Sequence, residues 1–190
     1  MRYLVCDVET TGLDAHKDAL LEIACILLDE QYREIDAKQF VIRHSGRRRS
    51  FLMEHTDPYV LAMHTANGLW NDIDGERAVE RKLVDGILAG WLLGNTEEGE
   101  QVRMIGNSLR LDLNFVEHHL PLTYECLSYR SMDVSAIEHF LTTNFEVEKF
   151  LGTGQPSNHR AMDDANTCLA QLLHYREALE SFMFINTIIE

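Results

Sequence analysis

Two hydrophobic periods divide this chain. Residues 2 to 9 read as a first strand, and Leu20 to Asp29 with Glu34 to Arg43 read as two more, joined by the polar turn around Glu30 and Gln31. That spacing predicts an antiparallel start to a sheet. Val79, Leu83, Ile87, Leu88, Trp91 and Leu92 then recur at helical spacing, predicting an amphipathic helix from about Glu76 to Leu93 that covers one sheet face. Gly94 to Gln101 reads as a loop, Val102 to Ile105 as a short strand ending at Gly106, and Asp112 to Leu120 as a helix. A brief strand near Ser131 to Asp133 precedes a helix from Val134 to Leu141. A long last helix runs from about Met162 to Leu179 through Ala165, Leu169, Leu172 and Leu173. Strands first and strand–helix alternation later predict a mixed sheet flanked by helices.

The chain has 190 residues, 45% of them hydrophobic and 25% charged, which suits one domain with a substantial core. No Gly/Ser/Pro-rich linker divides it, and it has three prolines. The opening MRYLVCDVE lacks the pattern of a secretory signal, and no apolar stretch nears the roughly 20 residues that span a bilayer. The expectation is a cytoplasmic protein with no membrane association. Cys6, Cys25, Cys126 and Cys168 form no CxxC pair and sit among apolar residues, so they read as buried free thiols. A formal charge of −14 opposes long-range attraction to a polyanion, which argues against a processive duplex binder. A site that carries its own cations, or a short substrate with few phosphates, is compatible with it.

The chemistry-bearing residues fall in three strings. Asp7 and Glu9 lie two apart on the first predicted strand, so both carboxylates face the same side. Hard divalent cations such as Mg²⁺ take carboxylate oxygens, and a paired-metal site needs several such acids. Asp-x-Glu alone is equally a strand running out into a loop. In DVETTGL, however, Thr10-Thr11-Gly12-Leu13 follows, and Gly12 permits a tight turn where a nucleotide can approach the backbone. Asp112 follows Gly106-Asn107-Ser108 at a strand-to-helix junction. As an isolated residue it would read as an acid favoured by the helix macrodipole. His159 and Asp164 stand in Asn158-His159-Arg160-Ala161-Met162-Asp163-Asp164 at the mouth of the last helix. An imidazole that titrates near neutrality there suits a general base.

The order DVETTGL, GNSLRLD, HRAMDD resembles the DEDDh exonucleases of the DnaQ-like superfamily, whose third motif places the base five residues before the last acid, as His159 stands to Asp164. The resemblance implies an α/β, RNase H-like fold with a mixed five-stranded sheet flanked by helices. It also implies Asp7, Glu9, Asp112 and Asp164 as ligands of two divalent ions, Mg²⁺ or Mn²⁺, and His159 as the base. A narrower resemblance to oligoribonucleases rests on His64-Thr65-Ala66-Asn67-Gly68-Leu69, Gly106-Asn107-Ser108, Tyr129-Arg130-Ser131-Met132-Asp133-Val134-Ser135 and His174-Tyr175-Arg176-Glu177.

That branch implies short single-stranded RNA as substrate and a homodimer. Leu13 and His64 would hold the terminal bases, with Thr10, Gly12 and Asn107 beside the substrate. Ser108, Arg130 and Ser135 would contact the far phosphate, and Tyr129 would reach toward a partner subunit. Two departures bear on substrate length. Thr10 stands where oligoribonucleases usually carry Met, so Thr10-Thr11-Gly12 is closer to proofreading exonucleases, and residues 45 to 62 and 142 to 157 do not match the branch; Arg47-Arg48-Arg49 in the first of these reads as a solvated charged loop or as a grip on a longer strand. A single-stranded DNA or general proofreading-type exonuclease is therefore the alternative within enzymes. A catalytically silent nucleotide-binding module is the alternative outside them, weakened because all five catalytic positions, Asp7, Glu9, Asp112, His159 and Asp164, are filled.

Overall fold

A computed structural model describes residues 1–145, 147–152 and 158–189, the backbone alone for 182–189. Strands β1 (Tyr3–Thr10), β2 (Leu20–Leu28), β3 (Glu34–Val41), β4 (Arg103–Gly106) and β5 (Met132–Asp133) form a mixed sheet in the order β3-β2-β1-β4-β5. β1 pairs antiparallel with β2 and parallel with β4, and β5 joins parallel to β4. β2 lies between β1 and β3 and every one of its residues is buried, which is why it reads as a continuous apolar run rather than an alternation.

The pleat of β1 sorts its residues between two cores. Leu4, Cys6 and Val8 pack with Val84, Leu88 and Leu92 of α4 (Arg81–Gly94) and with Phe115 and Val116 of α5 (Arg110–His119). Val5 packs on the other face with Ala161, Ala165, Cys168 and Leu172 of α8 (Ala161–Ile189) and Val134 of α7 (Val134–Asn144). By the same alternation Asp7 and Glu9 continue the α8 face beyond Val5. Cys6 and Cys25 stand opposite each other with sulfurs 3.8 Å apart, and all four cysteines are free thiols.

The helix expected from Glu76 begins instead at Arg81. Val79 is extended, bridged to Ile42, and donates its N–H to the Val41 carbonyl. Leu83 and Ile87 are 57% and 38% exposed, because the buried stripe runs along Val84, Leu88 and Leu92. Asp85 lies on that buried side and accepts the N–H groups of Leu122 and Thr123 at the start of α6 (Pro121–Glu125). Three helices without a legible period fill residues 46–72: α1 (Gly46–His55), α2 (Pro58–Ala66) and α3 (Leu69–Asp72). Leu52, Leu69, Trp70 and Ile73 tie them to Leu21 of β2 and to Ala19 just before it. Arg47-Arg48-Arg49 is thus helical rather than a solvated loop, and Arg49 donates to the Trp70 carbonyl at 3.0 Å. α8 runs past its expected end near Leu179 to Ile189, and the side chains of residues 182–189 lie outside the described residues. Among the described residues no helix is long and apolar enough to cross a membrane.

Candidate active site

Asp7 and Glu9 at the end of β1 meet Asp164 in the first turn of α8, with one oxygen from each carboxylate within 4.8 Å of the others. Asp112, in the first turn of α5, is buried and accepts the Val8 N–H at 3.0 Å, which stitches α5 to β1 between Asp7 and Glu9. Burial pushes the Asp7 carboxyl up to about 9, reinforced by the charges of Asp112, Glu9, Asp164 and Glu22. Burial raises Glu9 to about 8, with Asp164 and Glu22 adding to it and Arg160 opposing. Asp112 rises to about 7 through burial, against the N–H groups that favour its charged form. Carboxylates that destabilise one another in this way are what a hard cation neutralises, so the donor set fits a divalent metal at Asp7, Glu9 and Asp164 with Asp112 beside them.

The start of α8 is held by a pair that the sequence reading passed over. Glu22, fully buried and opposite Glu9 across the sheet, receives Arg160 through Nε at 3.0 Å and through a terminal nitrogen at 2.8 Å. It also accepts the Ala161 N–H at 3.1 Å and Gln39 Nε2 at 2.9 Å. A lone acid inside the apolar run LLEIACILL was the available signal, since a buried carboxylate needs a partner. Arg160 also reaches Asp72 at 2.9 Å. A 660 Å³ cleft adjoins this pair, lined in part by Gln39, Asp72 and Arg77, but none of the four acids lies in its wall.

His159 is exposed with φ of +53°, a left-handed conformation that histidine tolerates better than most residues. Asn67, at the C-terminal cap of α2, donates its Nδ2 to the carbonyls of His159 at 2.6 Å and Asn158 at 3.1 Å. Asp163 is exposed and accepts Asn158 Nδ2 at 2.6 Å, whereas Asp164 turns to the acids.

The residues expected at the terminal base separate into exposed and buried. Leu13 is 81% exposed. His64 is fully buried, its Nε2 3.1 Å from the Thr10 carbonyl and 3.7 Å from Glu9, so it lies beneath the motif rather than open to a base. Thr10 donates its hydroxyl to the Gly12 carbonyl at 2.7 Å. A Cβ on Gly12 would stand 2.5 Å from the Asp18 carboxylate, so in this structure a side chain of the same turn makes the close approach expected of a nucleotide.

The second group lies across the β4–β5 edge. Ser108, with φ of +50°, donates its N–H to Ser135 Oγ at 3.1 Å and to Asp133 at 3.3 Å, and Ser135 donates its hydroxyl to Asn107 Oδ1 at 3.3 Å. Asp133 also caps α7. Asn107, Ser108 and Ser135 are therefore one cluster. Tyr129 is 85% exposed, and Arg130, also exposed, stacks its guanidinium 5.2 Å from that ring.

A mixed sheet carrying acids at the end of its central strand, closed by a helix that brings another, is the RNase H-like nuclease framework. Exonuclease I of Methylocaldum szegediense shares the fold with a TM-score of 0.69, at 17% identity over 93% of this chain. A zinc-bound E. coli exonuclease I–ssDNA complex does so with a TM-score of 0.68, at 14% identity over 97%. This chain spans 40% and 43% of those two chains. The chain belongs to the RNase T exonuclease family, which it matches over residues 4–172. Several curated relatives are oligoribonucleases; that of Xylella fastidiosa is 26% identical over 98% of this chain and 94% of its own length.

Proposed function

We propose that this exonuclease removes nucleoside 5′-monophosphates from the 3′ end of short single-stranded RNA, with two Mg²⁺ or Mn²⁺ ions as cofactors. The observation that carries the reading is the convergence of Asp7, Glu9 and Asp164 within 4.8 Å. Asp7, Glu9, Asp112 and Asp164 would hold the ions. When bound, such ions lower the pKa of a water and offset charge on the scissile phosphate and leaving oxygen.

His159, exposed at the mouth of α8, takes the proton of the attacking water. The Arg160–Glu22 pair fixes the backbone from which His159 projects. Leu13 offers an apolar surface to the terminal base, and His64 supports the motif from below through the Thr10 carbonyl. Ser108, Ser135 and the guanidinium of Arg130 meet the far phosphate, Arg130 through a planar fork suited to phosphate oxygens. Preference for short RNA is supported by the oligoribonuclease relatives and by a net charge of −14, which disfavours long polyanions.

The same reading carries a cytoplasmic homodimer in which Tyr129 reaches the partner, checked by light scattering at micromolar concentration. A time course on 5′-labelled RNA and DNA, from dinucleotides to about twenty nucleotides, with Mg²⁺, Mn²⁺ or EDTA, tests substrate and cofactor together. Fast, metal-dependent decay of 5′-phosphorylated RNA dimers is expected. Equal decay of long DNA would replace the reading with a general exonuclease, and turnover in EDTA would remove the metal.

A further inference from the structure

On the α4–α5 side of the sheet a 280 Å³ pocket opens at the head of β2. Ala19 forms part of its floor, and its walls carry His44, Arg48, Arg81, His118 and His119, with no acidic side chain. In a chain with 31 Asp and Glu residues, that concentration of basic groups is out of character. Arg33, Arg43, Arg160 and Arg176 each meet a carboxylate, whereas among the described residues neither Arg48 nor Arg81 has an ion-pair partner. Arg81 donates to the His119 carbonyl, which anchors it at the pocket.

The imidazoles respond first to burial and then to the resulting field. Burial lowers His44, opposed by its hydrogen bond to the Leu20 carbonyl and by Glu80, and Arg48 and Arg81 lower it further. Burial depresses His119 to about 4, with His118 and Arg81 adding to the effect and the backbone of Ala15 and Asp18 opposing it. Positive charge in a pocket whose lining holds no carboxylate, with Glu80 outside it the acid that acts on His44, is the physical condition for anion binding.

We propose that this pocket binds the phosphate of a nucleotide, with Arg48, Arg81 and His118 as its donors. An adjoining 590 Å³ cleft, which shares His118, supplies room for the rest of the ligand: Leu13, Ala15 and the ring of His16 line it, His16 meeting His118 edge-on at 4.6 Å. Asp14 and Glu117 also line that cleft, so the anion belongs in the basic pocket and the base and sugar beside it. The floor is coupled to the catalytic strand. Thr11 donates its N–H to the Ala19 carbonyl at 3.0 Å, and Ala19 donates its N–H to Thr11 Oγ1 at 2.8 Å, just beyond Glu9. The choice of a nucleotide rests on the nuclease reading, whereas the anion site does not.

The test titrates the full-length protein in EDTA with inorganic phosphate, following the imidazole resonances of His44, His118 and His119. Phosphate should raise the pKa of His44 and His119, and Arg48→Gln, at an exposed position in the first turn of α1, should weaken binding about tenfold. A nucleoside 5′-monophosphate should bind more tightly than phosphate; equal binding would remove the nucleotide assignment. A 5′-phosphorylated dinucleotide binding more tightly than its unphosphorylated form assigns the site to a terminal phosphate, and equal binding assigns it to an internal diester. Asp7→Asn separates the two readings, since it should abolish turnover and leave phosphate binding intact. No binding at millimolar phosphate, or binding indifferent to Arg48→Gln, overturns the proposal.

Discussion

Arg160 grips both carboxylate oxygens of Glu22, and Glu22 stands directly across the sheet from Glu9. The residue before Arg160 is His159, and the acid that joins the metal group, Asp164, lies one turn further on, so this ion pair sets where base and ligand begin. Breaking it by Arg160→Ala leaves a buried charge without its partner, which costs about 3–5 kcal/mol. Urea unfolding should show that loss, and activity measured where the variant is still folded should fall with it. A stability change below about 1 kcal/mol would mean that the pair contributes neither.

Metal-free protein should lose stability as pH rises. Asp7 and Glu9 have ordinary pKa values of 3.8 and 4.5, which the folded chain raises to about 9 and about 8. The native state therefore holds protons that the unfolded state has released. The stabilisation is complete below the ordinary values and is lost as pH climbs through the raised ones. In EDTA the urea midpoint should fall between about pH 5 and about pH 8, and Mg²⁺ should restore more of it at the higher pH. Binding of Mg²⁺ near neutrality should also release protons, measured by calorimetry in buffers of different ionisation heat, and Asp7→Asn should reduce that release. A flat stability profile and proton-neutral binding would contradict the placement of these acids.

The parts of this molecule that announce themselves in the sequence are those where one physical requirement dominates. β2 must be apolar on both faces, and Asp7 and Glu9 must share a face, so strand and motif could be read directly. The helices of residues 46–72 could not be read from periodicity, because α1 buries Leu52 alone and carries Arg47, Arg48 and Arg49 in its first turns. Asp57-Pro58 was a usable signal there: Asp57 accepts the Tyr59 N–H at 2.8 Å and Pro58 opens α2. Leu83 and Ile87 misled because their helical spacing fits a stripe, while the core keeps Leu88 and Leu92 of that stripe and adds Val84. The complete burial of His64 was not legible, because it depends on Trp70 and Thr10, which only the fold brings to it.

Replacing the proposed base tests chemistry apart from binding. His159→Ala should slow turnover by about 10²–10⁴-fold, the usual contribution of a positioned general base. Because His159 is exposed and the acids belong to β1, α5 and α8, metal affinity measured by calorimetry should stay near that of the parent. An unchanged rate at neutral pH would move the base elsewhere, and loss of metal binding would make His159 a structural element of the centre.

Glu138 should act on substrate binding through a chain of hydrogen bonds whose direction it sets. An ionised carboxylate only accepts, so Gln171 must turn its Nε2 toward Glu138, at 2.7 Å, and leave its Oε1 to accept Asn107 Nδ2 at 2.9 Å. Asn107 is then oriented to accept the Ser135 hydroxyl at 3.3 Å, and Ser135 Oγ accepts the Ser108 N–H at 3.1 Å. Tyr175, buried in α8, donates to the same carboxylate at 2.8 Å while accepting the Phe150 N–H at 3.0 Å. Glu138→Ala removes the acceptor that fixes this order, whereas Glu138→Gln retains an oxygen that can accept from Gln171. If Ser108 and Ser135 hold the far phosphate, Glu138→Ala should raise KM for 5′-phosphorylated dinucleotides about tenfold with kcat within about twofold, and Glu138→Gln should restore most of it. Both variants need an unfolding curve, because Gln171 and Tyr175 lose their acceptor in Glu138→Ala and Lys149 loses its ion pair in both. A KM that stays put in Glu138→Ala, or a kcat that falls equally in both variants in step with stability, would reduce the chain to a brace between α7 and α8.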